Sequence, residues 1–220
     1  LQQSVDLILI ETMNDVYEAK AAILAAKEAM EEANRIVPIF ATTVYDLSGK
    51  SLTGSGPEVM VSVLESLGVT ALGLNCSLGP EQMKPIVKKL LECSSLPVIV
   101  NPNAGLPRSE NGRTVYDVTP DAFSEIAAGF AKQGALVLGG CCGTTPEHIR
   151  LLSEKVRKME KSGEINAEYP KDKGISVISS FTNSIKSLFF KYTSKFKSIF
   201  ENPACFICRI PSAAAFSGKI

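Results

Sequence analysis

One alternation, repeated five times over the first 160 residues, narrows the possible folds more than any other feature. Short β-rich apolar runs occur at "VDLILIE" (5–11), "VPIFATTVY" (37–45), "VTALGLN" (69–75), "LPVIVNP" (96–102) and "GALVLGG" (134–140). Each is followed by a segment of helical period. "DVYEAKAAILAAKEAMEEA" (15–33) is the clearest, with Ala, Ile, Leu and Met recurring every three or four residues and Glu and Lys opposite. "GPEVMVSVLESLG" (56–68) and "GPEQMKPIVKKLLEC" (79–93) open on Gly-Pro, placing Pro in a first turn where its missing N–H costs nothing. "TPDAFSEIAAGFAKQG" (119–134) and "TPEHIRLLSEKVRKMEK" (145–161) open on Thr-Pro, a cap followed by Pro. Runs that are apolar throughout, each feeding a helix, predict an α/β fold with a parallel sheet covered on its faces. They begin about 32 residues apart on average, close to the period of a (β/α)₈ barrel. A five-stranded open sheet of flavodoxin type fits the same alternation.

The 220 residues are 45% hydrophobic with formal net charge zero, the balance of an ordinary globular protein. No stretch has the length of a membrane span, and nothing near the start reads as a signal peptide. The first residue is Leu, four residues ahead of a strand-like run, so the chain is expected to lack its natural beginning. The zero charge hides an asymmetry, about −4 over residues 1–161 and about +4 over 162–220. Past 161 the polar "KSGEINAEYPKDKG" reads as a linker. "SSFTNSIKSLFFKYTSKFKSIFEN" (179–202) then predicts an amphipathic helix with Ile185, Leu188, Phe189, Tyr192, Phe196, Ile199 and Phe200 on one face. Packing on the chain's own domain is the ordinary fate of such a helix, and a membrane surface or partner the alternative. Two domains are expected, 1–161 and 162–220.

Six cysteines, at 76, 93, 141, 142, 205 and 208, are too sparse for a disulfide scaffold. They predict a reducing, cytoplasmic setting. "CFIC" (205–208) has no second pair, so two plain thiols are expected there. Cys76 stands at the end of one strand run ("GLNCSLGP"), and Cys141 and Cys142 at the end of another ("ALVLGGCCG"). Ligand sites of parallel α/β folds gather at that rim. Adjacent side chains of an extended strand point to opposite faces, but glycines at 139, 140 and 143 let the chain bend. Two readings of the pair stand. One is buried structural cysteine with a vicinal disulfide. The other is a Cys₃ zinc site with its fourth position open, the arrangement of catalytic zinc. Cys93 ends a helix and reads as packing. The single histidine, His148, reads as a solvated surface residue with no role.

"GLNCSLGP", "NPNAGLP", "ENGRTVYDVTPDAF" and "GGCCGTTPEHIR" together resemble the homocysteine S-methyltransferase family, and the third resembles its cobalamin-dependent members. The likeness runs from about Val5 to Lys161. It implies a (β/α)₈ barrel, of which this chain holds the last five units, followed by an amphipathic helical tail. It implies that Cys76, Cys141 and Cys142 bind zinc, that Glu11 in "DLILIE" holds the homocysteine amino group, and that Asn75 shapes the pocket. The reaction implied is methyl transfer to the homocysteine thiol, giving methionine. The resemblance leaves methylcobalamin, a methylated sulfonium or betaine as donor and favours methylcobalamin, bound by a domain outside this chain, with a folate-binding domain as a further implied partner. Glu11 also has a plainer reading, as a rim carboxylate paired with Lys or with helix N–H groups.

Three opening units of the family pattern are missing, so a barrel broken in this way is expected to expose two parallel edges, "VDLILIE" and "ALVLGG". A metal-binding but catalytically silent fragment is the competing expectation. A nucleotide-binding module is disfavoured, since no phosphate loop follows any strand. Nucleic-acid binding is disfavoured by a slightly acidic body and the lack of a recognised motif.

Overall fold

The computed structural model describes residues 1, 5–165 and 207–209. Five strand–helix pairs follow in order: β1 (Ile8–Met13) and α1 (Val16–Glu32), β2 (Ile39–Thr43) and α2 (Pro57–Ser66), β3 (Ala71–Asn75) and α3 (Pro80–Cys93), then β4 (Val98–Asn101). A small hairpin, β5 (Arg108–Glu110) and β6 (Arg113–Val115), interrupts the fourth pair before α4 (Pro120–Gln133). The last pair is β7 (Val137–Gly139) and α5 (Pro146–Lys161), and a short β8 (Ile207–Arg209) follows.

The helix starts obey local chemistry. Asp15 Oδ1 accepts from the N–H groups of Tyr17 at 2.7 Å and Glu18 at 3.1 Å, which satisfies two free donors of α1. The other four helices each begin at the proline of their Gly-Pro or Thr-Pro pair.

Strands β1, β2, β3, β4 and β7 are parallel neighbours in that order, and β8 pairs antiparallel with β7. The order never doubles back. A flavodoxin-type sheet reverses at its switch point and carries helices on both faces. Here Ile23, Met60, Val87, Phe123 and Leu152, one from each helix, share one core with Ile39, Ala41, Leu72, Leu74, Val98, Val100 and Leu138 of the strands. All five helices therefore lie on one face. Leu9, Phe40, Ala71, Ile99 and Val137 form a separate apolar cluster on the other. With both faces covered, β2, β3 and β4 are buried along their whole length, which is why their sequences do not alternate.

One expectation changes. The outer edge of β7 is paired with β8, so of the two expected open edges only that of β1 is unpaired among the described residues. Ile207 and Cys208 of the CFIC segment lie in β8. The expected amphipathic helix of 179–202 lies outside the described residues. Among the described residues no helix is long and apolar enough to cross a membrane.

Candidate metal and substrate site

The strand period of two organises the rim. On the face away from the helices each strand runs from an apolar base to a polar carboxyl end. Leu9 leads to Glu11, Phe40 to Thr42, Ala71 through Gly73 to Asn75, Ile99 to Asn101, and Val137 through Gly139 to Cys141.

Cys76 leaves β3 at once in a left-handed conformation, φ +62°, and Ser77 follows at +59°. Such backbone costs roughly 1–3 kcal/mol per residue and persists only where its surroundings hold it. The Cys76 N–H donates to the Asn101 carbonyl at 3.1 Å, and its carbonyl accepts from Leu78 N–H at 2.7 Å. Beyond β7, the Cys141 N–H donates to the Pro102 carbonyl at 2.8 Å, and the Cys142 N–H to Asn103 Oδ1 at 3.0 Å. The glycines make this bend possible. A Cβ on Gly140 would lie 2.6 Å from the Thr144 side chain, and Gly143 has φ +77°.

The result brings the three sulfurs together. Cys76 Sγ lies 3.6 Å from Cys142 Sγ, Cys141 Sγ lies 3.9 Å from Cys142 Sγ, and all three are within 4.8 Å of one another. Tetrahedral zinc with Zn–S of about 2.3 Å requires sulfurs about 3.8 Å apart, so the spacing fits that ion. Cys76, Cys93, Cys141 and Cys142 are all free of disulfides. Burial first, and then the neighbouring Cys76 and Cys142, push the Cys141 thiol up to about 12. A thiol that so resists ionisation needs a cation beside it to become thiolate. Cys93, at the end of α3, packs against the helix-side core away from this cluster.

Asn75 is buried and its amide ties three strands together. Oδ1 accepts from Thr12 N–H at 2.9 Å and from the Thr42 hydroxyl at 2.8 Å, while Nδ2 donates to Thr12 Oγ1 at 2.8 Å and lies 3.8 Å from Cys141 Sγ. Thr12, at φ +65°, marks a break in the β1–β2 register. Glu11 stands just before it, exposed, on the outermost strand of the sheet. The plainer reading of Glu11 finds no Lys partner and no helix N–H among the described residues. Truncating Asn75 would strand the Thr12 N–H and the Thr42 hydroxyl. Asn75→Ala is therefore expected to lower stability by about 2–4 kcal/mol in urea unfolding.

With this geometry in view, the family model described as homocysteine S-methyltransferase matches residues 1–156. The chain belongs to the homocysteine S-methyltransferase family. It is 40% identical over 162 residues to a methionine synthase of Mycobacterium tuberculosis, covering 73% of this chain and 14% of that protein. Over 159 residues it is 39% identical to the methionine synthase of Mycobacterium leprae, covering 72% and 13%. The matched segment is thus a small part of these relatives' length. Among solved structures it resembles the homocysteine methyltransferase MmuM of Escherichia coli. The apo form gives a TM-score of 0.54 at 24% identity, covering 70% of this chain and 51% of that one. The metallated form gives 0.54 at 25% identity, covering 71% and 46%.

Around the three sulfurs the structure adds residues that the sequence did not single out. Asn101 faces Asn75 across the β3–β4 register, and its buried Oδ1 has no hydrogen-bond partner among the described residues. Asn103 holds the Cys142 backbone. Both lie within the "NPNAGLP" motif, which was the available signal. Tyr116, directly after β6, rests its ring against Gly143, where a Cβ would come within 2.4 Å of it. Burial first, and then the neighbouring Cys142 side chain, raise its hydroxyl above the ordinary range.

His148 is a correction. It is 5% exposed rather than solvated. Nδ1 accepts from Thr145 N–H at 3.1 Å, which leaves the ring proton on Nε2 to be donated to the Val118 carbonyl at 3.0 Å. Its ring meets Phe123 edge to face at 5.3 Å.

Proposed function

We propose that this chain carries the zinc- and homocysteine-binding rim of a methyltransferase that converts homocysteine to methionine. The observation that carries the proposal is the spacing of the Cys76, Cys141 and Cys142 sulfurs, close to a tetrahedral edge, at the carboxyl ends of parallel strands. The one-directional strand order with helices on a single face supports the finer reading of the fold, five consecutive units of a (β/α)₈ barrel within a domain spanning 1–161. The names of the relatives, methionine synthase and a metallated homocysteine methyltransferase, support the substrate and the metal.

Each residue has work that follows from its chemistry. Cys76, Cys141 and Cys142 would hold the zinc. A thiol of pKa about 8.5 is mostly protonated at neutral pH, and zinc supplies the charge that keeps a substrate thiol ionised there. Glu11 offers a carboxylate to the homocysteine ammonium, with no competing cation among the described residues. Asn75 holds Cys141 and the end of β1 in mutual register, and Asn101 presents an unused acceptor beside it. The methyl donor is methylcobalamin, carried by a domain outside this chain, with a folate-binding domain as the further partner.

Glu11 lies on the border strand β1, and catalysis falls on the order of a hundredfold for a displacement of about 1 Å. Methyl transfer from methylcobalamin to homocysteine is therefore expected to be slow for the 220-residue chain. It should be much faster once three further strand–helix units are supplied ahead of β1, as a closed barrel requires. Zinc bound by both proteins with transfer by neither would favour a catalytically silent metal-binding piece. Equal rates would contradict the reading of β1 as an insecure border.

A further inference from the structure

The sheet has two borders, and the chain treats them differently. Along β1 the border is blunted by its own sequence. Asp6 and Glu11 are exposed, and the β1–β2 register shifts between Ile10 and Met13. Charges and irregularities of this kind keep an open edge from recruiting a foreign strand. The border at β7 has no such defence. "GALVLGG" holds no charged residue, and Val137, Leu138 and Gly139 are all buried. β8 lies along this edge and also meets α5.

In the six-stranded sheet β8 alone runs against its neighbour. Its residues cover the whole of β7, with Val137 opposite Arg209, Leu138 opposite Cys208 and Gly139 opposite Ile207. The other side of β7 fixes which groups face outward. The Leu136 N–H donates to the Val98 carbonyl at 3.1 Å, towards β4. Successive backbone N–H groups of a strand alternate sides, so those of Val137 and Gly139 face Arg209 and Ile207. Each outward group holds one ladder partner, so another strand can pair there only once β8 has gone.

A closed (β/α)₈ barrel pairs its last strand with its first, in parallel. β7 is the last strand of the five units, so β8 holds the place that closure would fill. We propose that the outer edge of β7 is a closure surface for which two strands compete. One is β8, antiparallel and supplied by the chain's own tail. The other is the first strand of the strand–helix units that would precede β1. β8 thus guards an apolar edge while the sheet is open, and leaves when it closes. Its three-residue pairing is at the short limit for a strand, which permits the exchange. The inference rests on the reading of residues 1–161 as five units of a barrel.

The test is residue-resolved amide hydrogen exchange on the 220-residue chain and on the same chain extended by three strand–helix units ahead of β1. Each is compared with its Ile207→Pro/Arg209→Pro double variant, which lacks both N–H groups that β8 directs at β7. In the 220-residue chain the double substitution is expected to speed exchange at Val137 and Gly139 at least about tenfold, while Leu138, bonded towards β4, is unchanged. In the extended chain the same substitution should leave Val137 and Gly139 protected, because the first strand covers them. The Leu9 amide reports on the barrel itself. It faces outward on β1, since Ile8 N–H donates inward to the Pro38 carbonyl at 2.9 Å, and it should gain protection on extension. Unchanged exchange at Val137 and Gly139 in the 220-residue double variant would show that β8 does not guard the edge. Loss of their protection in the extended double variant would overturn the competition. A Leu9 amide that gains nothing on extension is a different failure: the added units would not have joined the sheet, and the barrel reading would fall and take the proposal with it.

Discussion

Replacing Cys76, Cys141 or Cys142 by Ser, one at a time, is expected to weaken zinc binding by more than about a hundredfold, while Cys93→Ser leaves it unchanged. Even partners outside the ligand set typically change metal affinity 10–100-fold, so a lost ligand should exceed about the upper figure. The three sulfurs come from two strand ends with β4 between them, and each is set by different backbone contacts. Loss of one sulfur leaves two that no neighbouring residue is placed to supplement, since the three cysteines form the one metal-capable group among the described residues. Cys93 sits on the helix-side core and serves as the control. Competition with a chelator of known affinity measures all four variants. Equal affinity for the Cys141→Ser protein would show that the cluster is not the metal site.

Gly73→Ala is expected to destabilise the fold severely, although Gly73 touches no ligand and its new methyl group is small. A Cβ there would lie 1.9 Å from the Ile99 carbonyl oxygen and 2.7 Å from the Ile99 nitrogen. These are backbone atoms of the adjacent strand, paired with Gly73 in register, and they cannot swing aside as a side chain would. Ordinary overpacking costs about 1–3 kcal/mol, and this contact is closer than any rotamer change relieves. Against a typical total stability of about 5–15 kcal/mol, a loss of about 4 kcal/mol or more removes a large share of the margin. Gly129→Ala supplies the contrast. It lies within α4 with nothing within 4 Å of its added Cβ, so a gain of up to about 1 kcal/mol is expected. Circular dichroism with urea titration separates the two. A Gly73→Ala chain as stable as the parent would contradict the close approach of β3 and β4.

How much of this was legible in the sequence depended on how local each signal was. The five parallel strands and their helices were readable because apolar runs and Pro-led helix starts are written in adjacent residues, and four helices begin at the expected prolines. Strand order was not readable from the alternation. Either architecture uses the same runs, and only pairing such as Phe40 with Ala71 and Ile99 with Val137 reveals the one-way winding. The cysteines could be singled out because each stands at a strand end. Tyr116 could not, since its contact with Gly143 depends on a hairpin whose strands, Arg108–Glu110 and Arg113–Val115, are short, polar and largely exposed. A lone histidine in a polar helix start looks solvated. What buries His148 is Phe123 and the Val118 carbonyl, both more than twenty residues away. The idle acceptor on Asn101 is likewise a property of burial, which no local pattern records.

X-ray absorption at the zinc edge, with and without homocysteine, tests the central claim most directly. Three sulfur neighbours at about 2.3 Å are expected from the three cysteines. Adding homocysteine is expected to raise the sulfur count to four at the same distance, and selenohomocysteine should instead add a single selenium neighbour. A coordination shell that keeps three sulfurs and gains no selenium at saturating ligand would contradict the account, because the substrate sulfur would then not meet the metal.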